Sequence, residues 1–108
     1  MPIRDYSTFK SPLPHPGDHL RMDFLRVYRL TPGKLAKAMG LSDRARIERL
    51  IRGRQRLTAD TALRLGKVFG TSADMWLNMQ AQHDLSKAAL AVKDQLETLA
   101  VLQAPEAA

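Results

Sequence analysis

Between Thr31 and Gly70 the signals that start and stop helices follow one another so closely that only short helices fit. Thr31 offers a capping hydroxyl, Pro32 brings a φ already set for the first helical position, and Gly40 supplies a left-handed stop. Leu35, Ala36 and Met39 give this helix one buried face. Ser42 can cap the next, Ile47, Leu50 and Ile51 place apolar side chains at helical spacing, and Gly53 ends it. Thr58 caps a further helix, with Asp60 in the first turn where a carboxylate complements the helix dipole. Ala62, Leu65 and Phe69 form its inner stripe, Leu63 and Val68 flank it, and Gly70 stops it. No strand signal, internal repeat or low-complexity segment competes with this pattern.

The flanks extend it. Leu20, Phe24, Val27 and Tyr28 predict a helix over residues 17–29, with Pro16 able to open it at a position where a missing N–H costs nothing. Residues 1–15 hold Pro2, Pro12 and Pro14 and no apolar period, which predicts an extended arm, packed on the domain or partly mobile. Downstream, Thr71 with Asp74 resembles a capping box opening a helix through Met75, Trp76, Met79 and His83. Leu85, Ala89, Val92, Leu96 and Leu99 either prolong that helix or follow a break, and Pro105 ends any helix. A length of 108 residues, 44% of them apolar, suits one folded domain. Its expected divisions are an arm at 1–15, a helical domain at 16–84 and a helical tail at 85–108.

Two short helices joined at Gly40 and Leu41 cannot bury much by themselves, so the corner must be fixed by helices packed behind it. That is a helix-turn-helix arrangement, which holds its second helix proud of the body and leaves an outer face free to enter a major groove about 12 Å wide. The outer face here is rich in arginine. Within the run LSDRARIERLIRGRQR, Leu41 to Arg56, the stretch Arg44 to Arg56 carries six arginines against Glu48, a net +5 in a chain of net +6, whereas residues 84–108 are net −2. A basic stripe on an otherwise balanced domain is the electrostatic footprint of nucleic-acid binding. Arg44, Ala45, Arg46 and Arg49 are the candidates for base contact, because arginine reads guanine O6 and N7 bidentately. Arg52, Arg54 and Arg56 lie at or past the glycine and should meet phosphates, joined by Thr31, Lys34, Lys37 and Ser42. A face serving only solubility would prefer mixed signs.

Other chemistries find no support. His15, His19 and His83 have no cysteine or carboxylate cluster to complete a metal site, so neither metal nor cofactor is expected. No serine, histidine and acid fall at a spacing that suggests a nucleophile and its base, so the chain is not expected to be an enzyme. The absence of cysteine, of an apolar run near the roughly 18 residues a membrane helix needs, and of a signal-peptide core in MPIRDYSTFK points to a cytoplasmic protein off the membrane. Charge alone would also suit an interaction module meeting an acidic protein or an anionic membrane. One short recognition helix reads few bases, so a homodimer is expected. Its interface should fall between Trp76 and Leu99, with Trp76, Met79, His83 and Leu85 as candidates, while Trp76 serves either core or dimer packing.

The segments HPGDHLRMDFLRVYRLTPGKLAKAMGL and TADTALRLGKVFGTSADMWLNMQAQHDL, within residues 15–85, resemble the HigA antitoxin family of Xre-type helix-turn-helix proteins. That resemblance implies an all-α, five-helix Xre/lambda-repressor-like domain, here with a C-terminal helical extension. It also implies a homodimer that neutralises a RelE-like ribonuclease toxin and represses its own operon by binding a palindromic double-stranded DNA operator. The alternative is a stand-alone Xre-type transcriptional regulator with the same DNA surface and no toxin partner.

Overall fold

A computed structural model describes residues 6–106. A 3₁₀ turn at Tyr6–Thr8 leads through an extended segment to the first helix, α1, which runs continuously through Pro16–His19, Leu20–Leu25 and Arg26–Tyr28. Four more follow as expected: α2 at Pro32–Ala38, α3 at Ala45–Ile51, α4 at Ala59–Phe69 and α5 at Ala73–Ala91. A last helix, α6, occupies Lys93–Glu97 after a break at Val92, and no strand occurs among the described residues. The architecture is all-helical, and α5 passes unbroken through Asp84 and Leu85.

The three glycine stops fall where the sequence places them. At the corner of the helix pair Gly40 has φ +72°, and Leu41 N–H donates to the Ala36 carbonyl at 2.9 Å, so the chain leaves the helical path while capping α2. Thr31 Oγ1 accepts from Lys34 N–H at 3.2 Å, and Thr58 Oγ1 from Thr61 N–H at 3.3 Å. Two starts differ from the expected ones. Ser42 does not cap α3; the carboxylate of Asp43 accepts from Ala45 N–H at 2.8 Å and the helix begins there. Thr71 does not cap α5; Ser72 does, accepting from Asp74 N–H at 3.1 Å, and Thr71 Oγ1 instead accepts from the indole N–H of Trp76 at 2.9 Å. A buried indole donor needs such a partner, and the adjacent serine is left to satisfy the helix end.

Leu20, Leu25, Leu35, Ala36, Met39, Ile47, Leu50, Leu57, Ala62, Leu65 and Trp76 form the core. Trp76 is fully buried at its centre, with Phe24 at 5.2 Å and His19 at 5.5 Å between ring centroids. It is therefore core and leaves the candidate dimer surface, since a side chain with no exposure cannot touch a second chain. Val27 and Tyr28, expected inside α1, are 68% and 55% exposed. The middle segment of α1 has π geometry, which shifts the helical phase, so that Val27 faces outward and Tyr28 lies at the edge of the core with its ring 5.2 Å from that of Phe69.

The start of α1 is held by a residue outside the usual capping set. His15 Nδ1 accepts from Gly17 N–H at 2.9 Å, which fixes the ring as a neutral imidazole with its proton on the other nitrogen. Burial first, then the neighbouring His83, push the His15 pKa below the ordinary value, against opposing pulls from Asp18, the Gln55 backbone and Asp84. A base depressed in the folded state binds fewer protons there than in the unfolded chain, so it costs no stability well above pH about 6.5. Stability is lost as pH falls from that value toward the lower folded-state pKa. The melting temperature should drop between pH 7.5 and 5.5, and His15→Asn, which can still cap, should flatten that drop in thermal melts; equal slopes would contradict the assignment. The first five arm residues, with Pro2, lie outside the described residues.

Candidate nucleic-acid interface

α3 is positioned from behind by α1. Leu50 and Ile47 are buried on its inner face, and the Gly17 backbone lies so close to Leu50 that a β-carbon there would stand 1.9 Å from the Leu50 carbonyl oxygen. With that face clamped, the arginines turn outward. Arg44 is 71% exposed, and its Nε donates to Glu48 one turn on at 2.7 Å. Ala45 is half-buried beside it. Arg49 is exposed, and its Nε donates to Gln55 Oε1 at 2.8 Å, which folds the following loop back against α3. Leu41, Ser42, Asp43, Arg46 and Arg49 line a shallow cleft of about 170 Å³ at the start of the helix.

The stripe is not unopposed, as the linear sequence suggests. Arg46 Nη1 binds Asp60 on α4 at 2.6 Å, and the same carboxylate oxygen accepts from Arg64 Nε at 3.0 Å. Arg64 also donates to the Met39 carbonyl at 2.7 Å, just before the glycine corner. Hydrogen bonds from Arg46 first, and then from Arg64, hold the Asp60 carboxyl below the ordinary carboxylate range. Arg46 thus ties α3 to α4, while Arg64 on α4 reaches the end of α2, so the fold gives this base-reading candidate an anchoring contact as well. Arg56 pairs with Asp84 on α5. Arg52 and Arg54 are exposed and have no ion-pair partner among the described residues. Thr31, Lys34 and Lys37 are exposed on α2, and Ser42 on the corner that follows it. Exposed ion pairs are weak in water, so a polyanion can compete for the arginines that make them.

The candidate dimer residues divide. Trp76 is core; Met79 is half-buried in an apolar groove of about 730 Å³ shared with Leu13 and Pro14 of the arm. His83 is engaged within the chain: its Nδ1 lies 2.6 Å from the Leu13 carbonyl oxygen, while Leu13 N–H donates to Ser86 Oγ at 2.7 Å. Leu85 is exposed, and so are Ala81, Ala88, Val92, Leu96 and Leu99. Sequence reasoning located the exposed apolar stretch but not which of its helix faces is free. Nor did it give the roles of Asp43 as the cap of α3, of Gln55 as the partner of Arg49, or of Asp60 and Asp84 as the partners of Arg46 and Arg56. Only Asp43, two residues before the first helical one, carries a local signal that could have found it.

No helix among the described residues is long and apolar enough to cross a membrane, and none of their His, Asp and Glu residues form a group of three or more that could hold a metal ion. No family profile matches the chain. Over 77 residues the chain is 46% identical to virulence-associated protein I of Dichelobacter nodosus, a match spanning 71% of this chain and 70% of that one. Its structure resembles that of the Pseudomonas aeruginosa antitoxin HigA with the higBA promoter, with a TM-score of 0.78, 34% identity, and coverage of 84% of this chain and 99% of that one. It also resembles antitoxin GraA in complex with its operator, with a TM-score of 0.81, 29% identity, and coverage of 95% of this chain and the whole of that one.

Proposed function

The chain belongs to the HigA antitoxin family of Xre-type helix-turn-helix proteins, and from that premise we propose that it represses its own operon as a homodimer and neutralises a RelE-like ribonuclease toxin in the cytoplasm. The observation that carries the DNA half is the outward face of α3, where Arg44 and Arg49 meet only weak partners on the exposed surface. Relatives of the same fold bound to promoter and operator DNA support it. In this reading Arg44, Ala45 and Arg49 face base edges in the major groove. Thr31, Lys34, Lys37, Ser42, Arg52 and Arg54 meet the backbone on either side, and Arg46 keeps α3 at its angle to α4. No covalent chemistry is involved.

Titration of operator and random duplexes by fluorescence anisotropy tests this. Arg49→Ala should cost about 1–3 kcal/mol on the operator and relax sequence preference, because a bidentate base contact is lost. Arg54→Ala should weaken both duplexes alike. With about six phosphates neutralised, log affinity should fall against log salt with a slope near −5. A flat salt response, or equal binding of operator and random DNA by the parent chain, would sink the reading. For the toxin half, the neighbouring reading frame should encode a small basic protein that co-purifies with this chain. A neighbour that neither binds it nor inhibits growth favours the stand-alone regulator.

A further inference from the structure

The ion pair between Arg56 and Asp84 differs from the other pairs on the stripe in what lies behind it. Asp84 presents one carboxylate oxygen to Arg56, and the other accepts from Gln80 Nε2 at 3.0 Å. Gln80 is 2% exposed, and its Oε1 accepts from Leu57 N–H at 2.7 Å. Leu57 is itself core. Both ends of the Gln80 amide are therefore spent on holding the carboxylate and the end of the arginine loop in one geometry. A buried amide with both groups satisfied is a rigid support. On the other side of Arg56, Arg49 holds Gln55 against α3, so Arg56 sits within one residue of each fixed point. Its side chain is 68% exposed, on the same short loop as Arg52 and Arg54.

We propose that Asp84 is a built-in rival to the DNA backbone: its fixed carboxylate occupies the Arg56 guanidinium and lowers the affinity of the chain for every duplex. A mobile surface acid would give way to phosphate at little cost, whereas this one is oriented beforehand and loses nothing by staying. Partial burial pushes the Asp84 carboxyl up, but the hydrogen bonds from Arg56 and Gln80 outweigh that and hold it below the ordinary range, so the group is ionised at neutral pH. The stripe is then graded. Arg52 and Arg54 are ready for phosphate, while Arg56 is withheld. An autorepressor gains from such a restraint, since affinity above what its own operator needs would spread the protein over random DNA.

This rests on the reading of the stripe as a DNA surface, and the test separates the two. The parent chain and Asp84→Asn are titrated with operator and random duplexes between about 50 and 200 mM salt, at a protein concentration where light scattering shows the same oligomeric state for both. Asp84→Asn should bind both duplexes about 5- to 10-fold tighter at the low-salt end. The slope of log affinity against log salt should steepen by about 1.8 for the dimer, the signature of one more phosphate neutralised by each copy. In an Arg56→Ala background the substitution should change nothing. A folded Asp84→Asn with unchanged or weaker affinity overturns the inference and leaves the DNA reading standing, whereas a parent chain that binds no duplex overturns both. Should Asp84→Asn fail to fold, single alanine variants decide. Arg56→Ala must cost far less affinity than Arg54→Ala, and equal losses overturn the inference.

Discussion

Gly17→Ala should lower the stability of the domain by about 3 kcal/mol, near the upper end of what overpacking costs, and its melting temperature by about 15 °C. The reason is the partner of the new methyl group. A β-carbon at Gly17 would lie 1.9 Å from the Leu50 carbonyl oxygen and 2.8 Å from its carbon, both of them backbone atoms of α3. No rotamer change relieves a clash with backbone, so α1 and α3 must separate. Leu50 is 1% exposed, and its neighbour Arg49 is a proposed base-reading residue, so separation both opens the core and tilts the recognition helix. Operator affinity should therefore fall even at temperatures where circular dichroism still reports a folded protein. Gly33→Ala is the control: its new methyl would meet nothing nearer than Thr31 Oγ1 at 4.0 Å, so helix propensity alone predicts a gain of up to about 1 kcal/mol. Melts of the two variants within a degree or two of each other would refute the close-approach argument.

Gly17 also shows where legibility in the sequence ends. The helix order was readable because its signals are local: Thr31 and Thr58 cap, Gly40, Gly53 and Gly70 stop, and the apolar spacing between them marks the buried face. The close approach of Gly17 to Leu50 joins residues far apart in the chain and leaves no local trace. The same holds for Asp60 with Arg46 and Asp84 with Arg56, which the fold brings together across three different helices. Six arginines in a row of cationic positions therefore read as a uniform stripe, while in space they fall into anchored, lightly held and unpaired groups. The exposure of Val27 and Tyr28 escaped for another reason: a turn of π geometry inside α1 shifts the helical phase, and nothing in LRMDFL announces it.

Leu85→Glu combined with Val92→Glu should convert the chain from dimer to monomer and reduce operator affinity about 100-fold or more, because two tethered half-sites act through effective concentration. Leu85 and Val92 are 42% and 40% exposed, Leu96 and Leu99 more so, and Ala81 and Ala88 lie open between them. Ala81, Leu85 and Ala88 lie four and three apart on α5, the spacing of a helix face that packs along another helix, and Val92 at the break, Leu96 on α6 and Leu99 beyond it add further exposed apolar side chains. Small alanines at alternate positions let two such helices approach closely. Exposed apolar side chains gathered on one segment mark a covered face, and a second copy covering them would supply the second α3 that a reader of half-sites roughly 34 Å apart requires. Neither substituted side chain is in the core, so the monomer should stay folded and bind an isolated half-site duplex as the parent chain does. Light scattering and anisotropy on full and half operators read all three outcomes. A variant that stays dimeric would move the interface elsewhere, and a monomer with undiminished affinity for the full operator would mean that one copy reads the site alone.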